Sequence, residues 1–213
     1  MKHCLIAIAA AAALCPSLQA AIIYSGPENL TVSFSDADGL YLNFETGATA
    51  VDFPDAFYDE PWVNFVFGGY WLYHGDPVRM VAAFDEVYDP EEVDESDYFA
   101  NVQAGATIDL SSAFGAAGSA SQFHVGSAGS GKFVAGEAGI LGFEFTTTND
   151  IPTTHYGWLR FIPGDTVGTL VDWAYESMPG QAIVAGAVPE PSMLGVPAIA
   201  LLGSMLARRR RRP

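Results

Sequence analysis

Leu30-Thr31-Val32-Ser33-Phe34 and Leu40-Tyr41-Leu42-Asn43-Phe44 each alternate in hydropathy, with Asp36-Ala37-Asp38-Gly39 between them. Successive side chains on a strand point to opposite faces, so a period of two marks a half-buried strand. The Asp/Gly link has turn composition, and the pair reads as a hairpin or a tight meander. Runs of the same kind recur at 62–67, 70–73, 78–84, 107–110, 122–125, 132–134, 140–147, 155–161 and 169–175, separated by Gly, Pro, Asp and Asn. Helical periodicity is missing, apart from room for one acidic turn near 90–97, and the chain has no internal repeat. The expected fold is all-β: a single antiparallel β-sandwich or jelly-roll-like domain over residues 21–187.

The flanks differ from this body. Met1-Lys2-His3 is a short basic start, Cys4 to Leu14 is apolar, and Leu18-Gln19-Ala20 is a cleavage site for signal peptidase. Residues 1–20 therefore read as a signal peptide. Cys15 follows the bulky Leu14 rather than a small residue, which argues against lipidation. Both cysteines fall in this segment, so the body has neither disulfides nor thiol chemistry.

The body carries 24 of the 25 acidic residues against only Arg79, Lys132 and Arg160, a formal charge of about −21. Such a surface repels nucleic acid and anionic membranes, so no nucleic-acid partner is expected. Cations or a hydrated extracellular polysaccharide are more compatible neighbours. Eight of the acids crowd into Asp85–Asp97. Residues 111–131 form a Gly/Ala/Ser stretch that reads as a long flexible loop with one embedded strand.

Each candidate site competes with a plainer reading. Gly126 to Lys132 mimics a phosphate-binding loop, but Phe133 stands where a magnesium-binding Ser or Thr is required, so the stretch is read as a loop. Asp36 and Asp38, or Asp94 and Glu95, are the candidates for Ca²⁺, the one cofactor considered; neither place has EF-hand spacing, and crowded surface acids are usually only solvated. His74, His124 and His155 lack metal-ligand spacing, and no enzymatic signature emerges. Trp62, Tyr70, Trp71 and Tyr73, near Asn64, His74 and Asp76, have the composition of a glycan platform. The plainer expectation is that these rings fill the core between two sheets.

At the C-terminus, Val188-Pro189-Glu190-Pro191-Ser192 precedes an apolar run from Met193 to Ala207, and Arg208, Arg209, Arg210, Arg211 and Arg212 follow. The run spans roughly 22 Å as a helix, somewhat short of a ~30 Å hydrocarbon core, and the arginines favour the cytoplasmic side. This three-part order, over residues 188–213, resembles the PEP-CTERM sorting tail of exported Gram-negative proteins. The resemblance implies a membrane-embedded, exosortase-like cysteine protease as partner, with Pro189, Glu190 and Pro191 recognised and the arginines holding the tail in the cytoplasm until cleavage. It also implies a transient inner-membrane tether. An uncut single-pass anchor is the plainer alternative.

Gly142-Phe143-Glu144-Phe145, His155 to Phe161, Asp172 to Glu176, Pro179 to Ile183 and the early Ala21 to Pro27 are similar to blocks in many such exported proteins. That likeness implies a recurring β domain and brings no activity with it. The functional expectation is a non-enzymatic cell-surface or extracellular-matrix protein; a calcium- or glycan-binding surface module and a secreted hydrolase are the alternatives.

Overall fold

The computed structural model describes residues 20–33, 39–67, 71–83, 98–115, 120–123, 125–127 and 131–189. Outside them lie residues 1–19, which hold most of the expected signal peptide, Asp36, Asp38, Tyr70, the acidic run 85–97 with Asp94 and Glu95, and His124. The tail from Glu190, with Pro191 and Arg208 to Arg212, lies outside them too.

The described residues are all-β. Sheet A contains β1 (Ile22–Tyr24), β2 (Leu30–Ser33), β7 (Val78–Met80), β12 (Gly139–Thr146), β13 (Thr154–Ile162) and β14 (Val167–Glu176). Sheet B contains β3 (Leu40–Asn43), β4 (Thr49–Ala50), β5 (Trp62–Val66), β6 (Trp71–His74) and β11 (Ala120–Gln122), in the order β11-β6-β5-β3-β4. Two short pairs complete the set: β8 (Ala82–Ala83) with β9 (Tyr98–Phe99), and β10 (Thr107–Ile108) with β15 (Ile183–Val184). Every ladder between these strands is antiparallel.

β2 and β3 do not form the expected hairpin. β2 pairs with β14 in sheet A, whereas β3 pairs with β4 and β5 in sheet B. The alternation in each strand has the same cause as in a hairpin, one face on the core, but the two strands lie in opposite sheets. Gly39, at the start of β3, has φ +68°, and a Cβ there would sit 2.2 Å from the Phe65 carbonyl oxygen. Only glycine tolerates both conditions.

The sheets face each other across one core. Leu40, Leu42, Val63, Phe65 and Leu72 come from sheet B, and Val32, Met80, Leu141, Phe143, Leu159, Phe161 and Leu170 from sheet A. Two ring stacks bridge the gap: Phe44 on Phe143, with centroids 3.8 Å apart and planes 4° apart, and Phe65 on Phe161 at 5.3 Å. Gly157 makes the first stack possible, because a Cβ there would lie 2.3 Å from the Phe143 ring and 2.7 Å from the Ala174 carbonyl oxygen. Within 111–131, β11 pairs with β6, and Phe123 is buried against Phe133 and Phe161. The expected strand at 132–134 reduces to one bridge, Val125 to Phe133.

Sheet A is also covered on its other face. Ile140, Tyr156, Trp158 and Ala174 point away from the first core and form a second one with Ile108, Ile183 and Ala185. The β10–β15 pair thus acts as a partial third layer. Burial on both faces explains why Ile140 and Leu141 are adjacent in β12 and why even Glu144 there is buried.

Gly157→Ala should destabilise the fold by about 1–3 kcal/mol through overpacking against Phe143. Phe143→Ala should cost about 3–5 kcal/mol by opening a cavity. Urea unfolding should show the double variant well short of the sum, since the smaller side chain removes the clash; strict additivity would contradict this packing.

Candidate functional site

Sheet A carries a group of ionised side chains on its outer face, and a backbone irregularity places them. Opposite Arg160 and Phe161, β14 presents Asp172 and Leu170, leaving Val171 as the extra residue of a β-bulge. Without the bulge, residues 170 and 172 would share a face; with it, Leu170 enters the core and Asp172 turns outward to meet Arg160. The bulge is tied down from the sheet edge, where the Glu28 and Asn29 amides both donate to the Val171 carbonyl, at 2.8 and 3.1 Å. Pro27 sits in the break between β1 and β2, which pair with β14 end to end. A proline-interrupted edge of this kind also resists pairing with a second chain.

The Asp172 side chain is 3 % exposed. The Tyr24 hydroxyl donates to its Oδ2 at 2.8 Å, and Arg160 Nε lies 3.4 Å from Oδ1, an ion pair without a hydrogen bond. The Arg160 guanidinium also lies over the Trp158 ring, 5.5 Å from its centroid. Nearby, Arg79 pairs with the buried Glu144 and lies 5.7 Å from the Phe114 centroid, while Phe114 stacks on Tyr156. Two of the three body cations are thus committed to buried carboxylates. Lys132, the third, lines a shallow cavity of about 590 Å³ with Asn101, Gln103 and Gly139. At the two ends of the phosphate-loop look-alike, the Gly126 amide donates to the Phe133 carbonyl and the Gly131 carbonyl accepts from the Asn101 amide.

The two described body histidines, His74 and His155, make structural contacts. His74 Nδ1 donates to the Gly75 carbonyl at 3.0 Å. His155 lies between the Glu176 carbonyl and the Thr153 hydroxyl and stacks on Phe145. No described group of three His, Asp or Glu residues could hold a metal ion, and all four calcium candidates fall outside the described residues.

Trp62, Trp71 and Tyr73 lie elsewhere than in the core. Register pairs Asn64 with Tyr73, Val66 with Trp71 and Asn43 with Trp62, and the inward set is Val63, Phe65 and Leu72. The three rings therefore stand on the outer face of sheet B, each partly exposed. Glu60 Oε2 accepts from the Trp62 indole at 3.0 Å and from the Asn43 amide at 3.1 Å. The structure does not join this face to the polar group on sheet A, because the whole core lies between them.

The Asp172 group went unnoticed in the sequence. Arg160 and Asp172 are two of many charges there, and only the bulge pairs them. Their isolation within apolar runs, with Leu159, Phe161 and Trp173 of the core beside them, is the one available signal.

Burial raises the Tyr24 hydroxyl above the ordinary value of 10.0, helped by its hydrogen bond to Asp172 and by the charge of that carboxylate, and partly opposed by Arg160. Burial also raises Tyr156 and Tyr175, aided by Glu144 and Glu45 respectively. It lowers His74 below 6.5, against the pull of the Gly75 carbonyl and Asp76. The unfolded chain therefore releases tyrosine protons first as pH rises through 10 and takes up the His74 proton first as pH falls through 6.5. Stability from these groups should be complete between those values and lost on either side, and Tyr24→Phe should flatten the alkaline limb of melting temperature against pH. An unchanged limb would show that the hydroxyl is not held by Asp172.

No family model matches the chain, and neither a curated protein nor a solved structure is similar to it.

Proposed function

We propose that the chain is an exported, non-enzymatic surface or extracellular-matrix protein, sorted through its C-terminal tail and cut by an exosortase-like protease. The observation that carries this reading is the uninterrupted order of Pro189-Glu190-Pro191, apolar run and arginine cluster. Its placement relative to the folded body supports it. The Trp158 indole donates to the Ala187 carbonyl at 3.1 Å, and the Ala187 amide donates to the Val184 carbonyl at 2.9 Å. Only the half-exposed Val188 then precedes the motif. A cut at or after the motif would leave the β core whole, whereas a cut before Ala187 would remove part of it.

The non-enzymatic part rests on how the buried acids among the described residues are used: Asp172 and Glu144 each face an arginine in a structural pair, and Glu176 accepts from the Met178 amide. The finer jelly-roll description belongs to the same proposal, as do the signal peptide and the membrane-crossing tail. An antiparallel body without cysteines and with a charge of about −21 suits an extracellular, hydrated setting.

Intact-mass analysis of the protein released by its own cells should find an N-terminus at Ala21 and a C-terminus within a few residues of Pro189 to Pro191. Substituting Glu190→Ala should leave the tail attached and the protein in the membrane fraction. A released form that keeps Met193 to Ala207 and the arginines would refute processing.

A further inference from the structure

The outer face of sheet B is built for flat, hydroxylated ligands. Trp71 and Tyr73 are two residues apart on β6, hence ~7 Å along the strand. Trp62 stands on the diagonal from Tyr73, another ~7–8 Å away. The rings form a row as long as a short oligosaccharide. None of the three stacks on another described ring, whereas Tyr41, Phe53, Phe57 and Tyr58 on the neighbouring part of the same face pack on one another. Glu60 fixes the Trp62 indole in one orientation. Asn64, opposite Tyr73, is only 7 % exposed, and its Oδ1 has no hydrogen-bond partner.

We infer that this face binds a neutral polysaccharide of pyranose rings. The rings would cover the apolar C–H faces of successive sugars, with the Tyr73 hydroxyl beside them for sugar hydroxyls; the Asn64 oxygen is turned inward toward Gly39 and takes no part. Two observations bear on this occupant. The body's charge of about −21, with Glu60 within the site, disfavours polyanionic chains. The exposed apolar residues Val51, Phe53 and Tyr58 precede β5 in the chain and are not part of the row, whereas Phe67, also exposed, follows β5 beside the Trp71 end of it. The inference does not depend on how the tail is processed.

Native affinity electrophoresis of the purified full-length chain tests it, with hydroxyethyl cellulose and dextran as neutral probes and alginate as the polyanion. The expected result is retardation by at least one neutral probe and none by alginate. Trp71→Ala and Tyr73→Ala should each weaken that affinity about tenfold, the size expected for loss of an aromatic anchor. Phe53→Ser, in the neighbouring aromatic cluster, should leave it unchanged. Quenching of indole fluorescence by the retarding probe gives a second readout on the unsubstituted chain, independent of whether the variants fold. Absence of both retardation and quenching with the neutral probes, equal retardation by alginate, or retardation insensitive to both substitutions would overturn the proposal.

Discussion

The ring of Phe143 sits flat between Gly157, its neighbour within sheet A, and Phe44, which reaches across from sheet B. The separation of the two sheets depends on that contact. Phe44 directly follows β3, so its stack sets how near β3 and β5 approach β12 and β13, and therefore whether Val63, Phe65 and Phe161 can interdigitate. A fully buried aromatic side chain contributes on the order of 1.5–3 kcal/mol by leaving water. That gain is available here only because residue 157 has no side chain. One absent methyl group thus governs the packing of two sheets.

The second constraint is that the outer face of sheet A is itself partly covered, so that the Asp172 and Glu144 side chains are 3 % and 9 % exposed. Its charged residues must be satisfied within the protein, because unpaired charge in such surroundings is costly. The Val171 bulge, held by two amides from the edge, meets this demand by turning Asp172 toward Arg160 and Tyr24. Backbone irregularity and charge pairing are here one device: a regular β14 would put residues 170 and 172 on one face, either Asp172 into the aromatic core or Leu170 out of it.

The strands at 139–146, 154–162 and 167–176 were legible because long apolar runs bounded by Gly, Pro and Asp admit little else. Gly157 was legible as a close approach. The two-sided burial of these strands was not, since Trp158 and Phe161 look equally apolar whichever core they enter. The link at 36–39 misled for a related reason: a turn that folds a strand back on its neighbour has the same composition as one that crosses between sheets. On sheet B the alternation at 62–66 and 71–74 was plain, but not which set faced inward. Val63, Phe65 and Leu72 took the core, and the Trp and Tyr residues, each with a polar end, took the outside together with Asn64 and Val66. Weighing the two sets against each other would have found that face. The Val171 bulge leaves no mark in the sequence, as neither glycine nor proline accompanies it.

The clasp of Trp158 on Ala187 also gives the molecule an orientation. The body's last residues leave from the outer face of sheet A, and the Trp62, Trp71 and Tyr73 face looks out from the opposite side of the sandwich. Were the chain held through the tail as proposed, two sheets and a core, roughly 10 Å between backbones, would stand between the Ala187 end of the body and the aromatic row. A chain secured in this way would present its ring-bearing side to the medium and not to the surface that carries it.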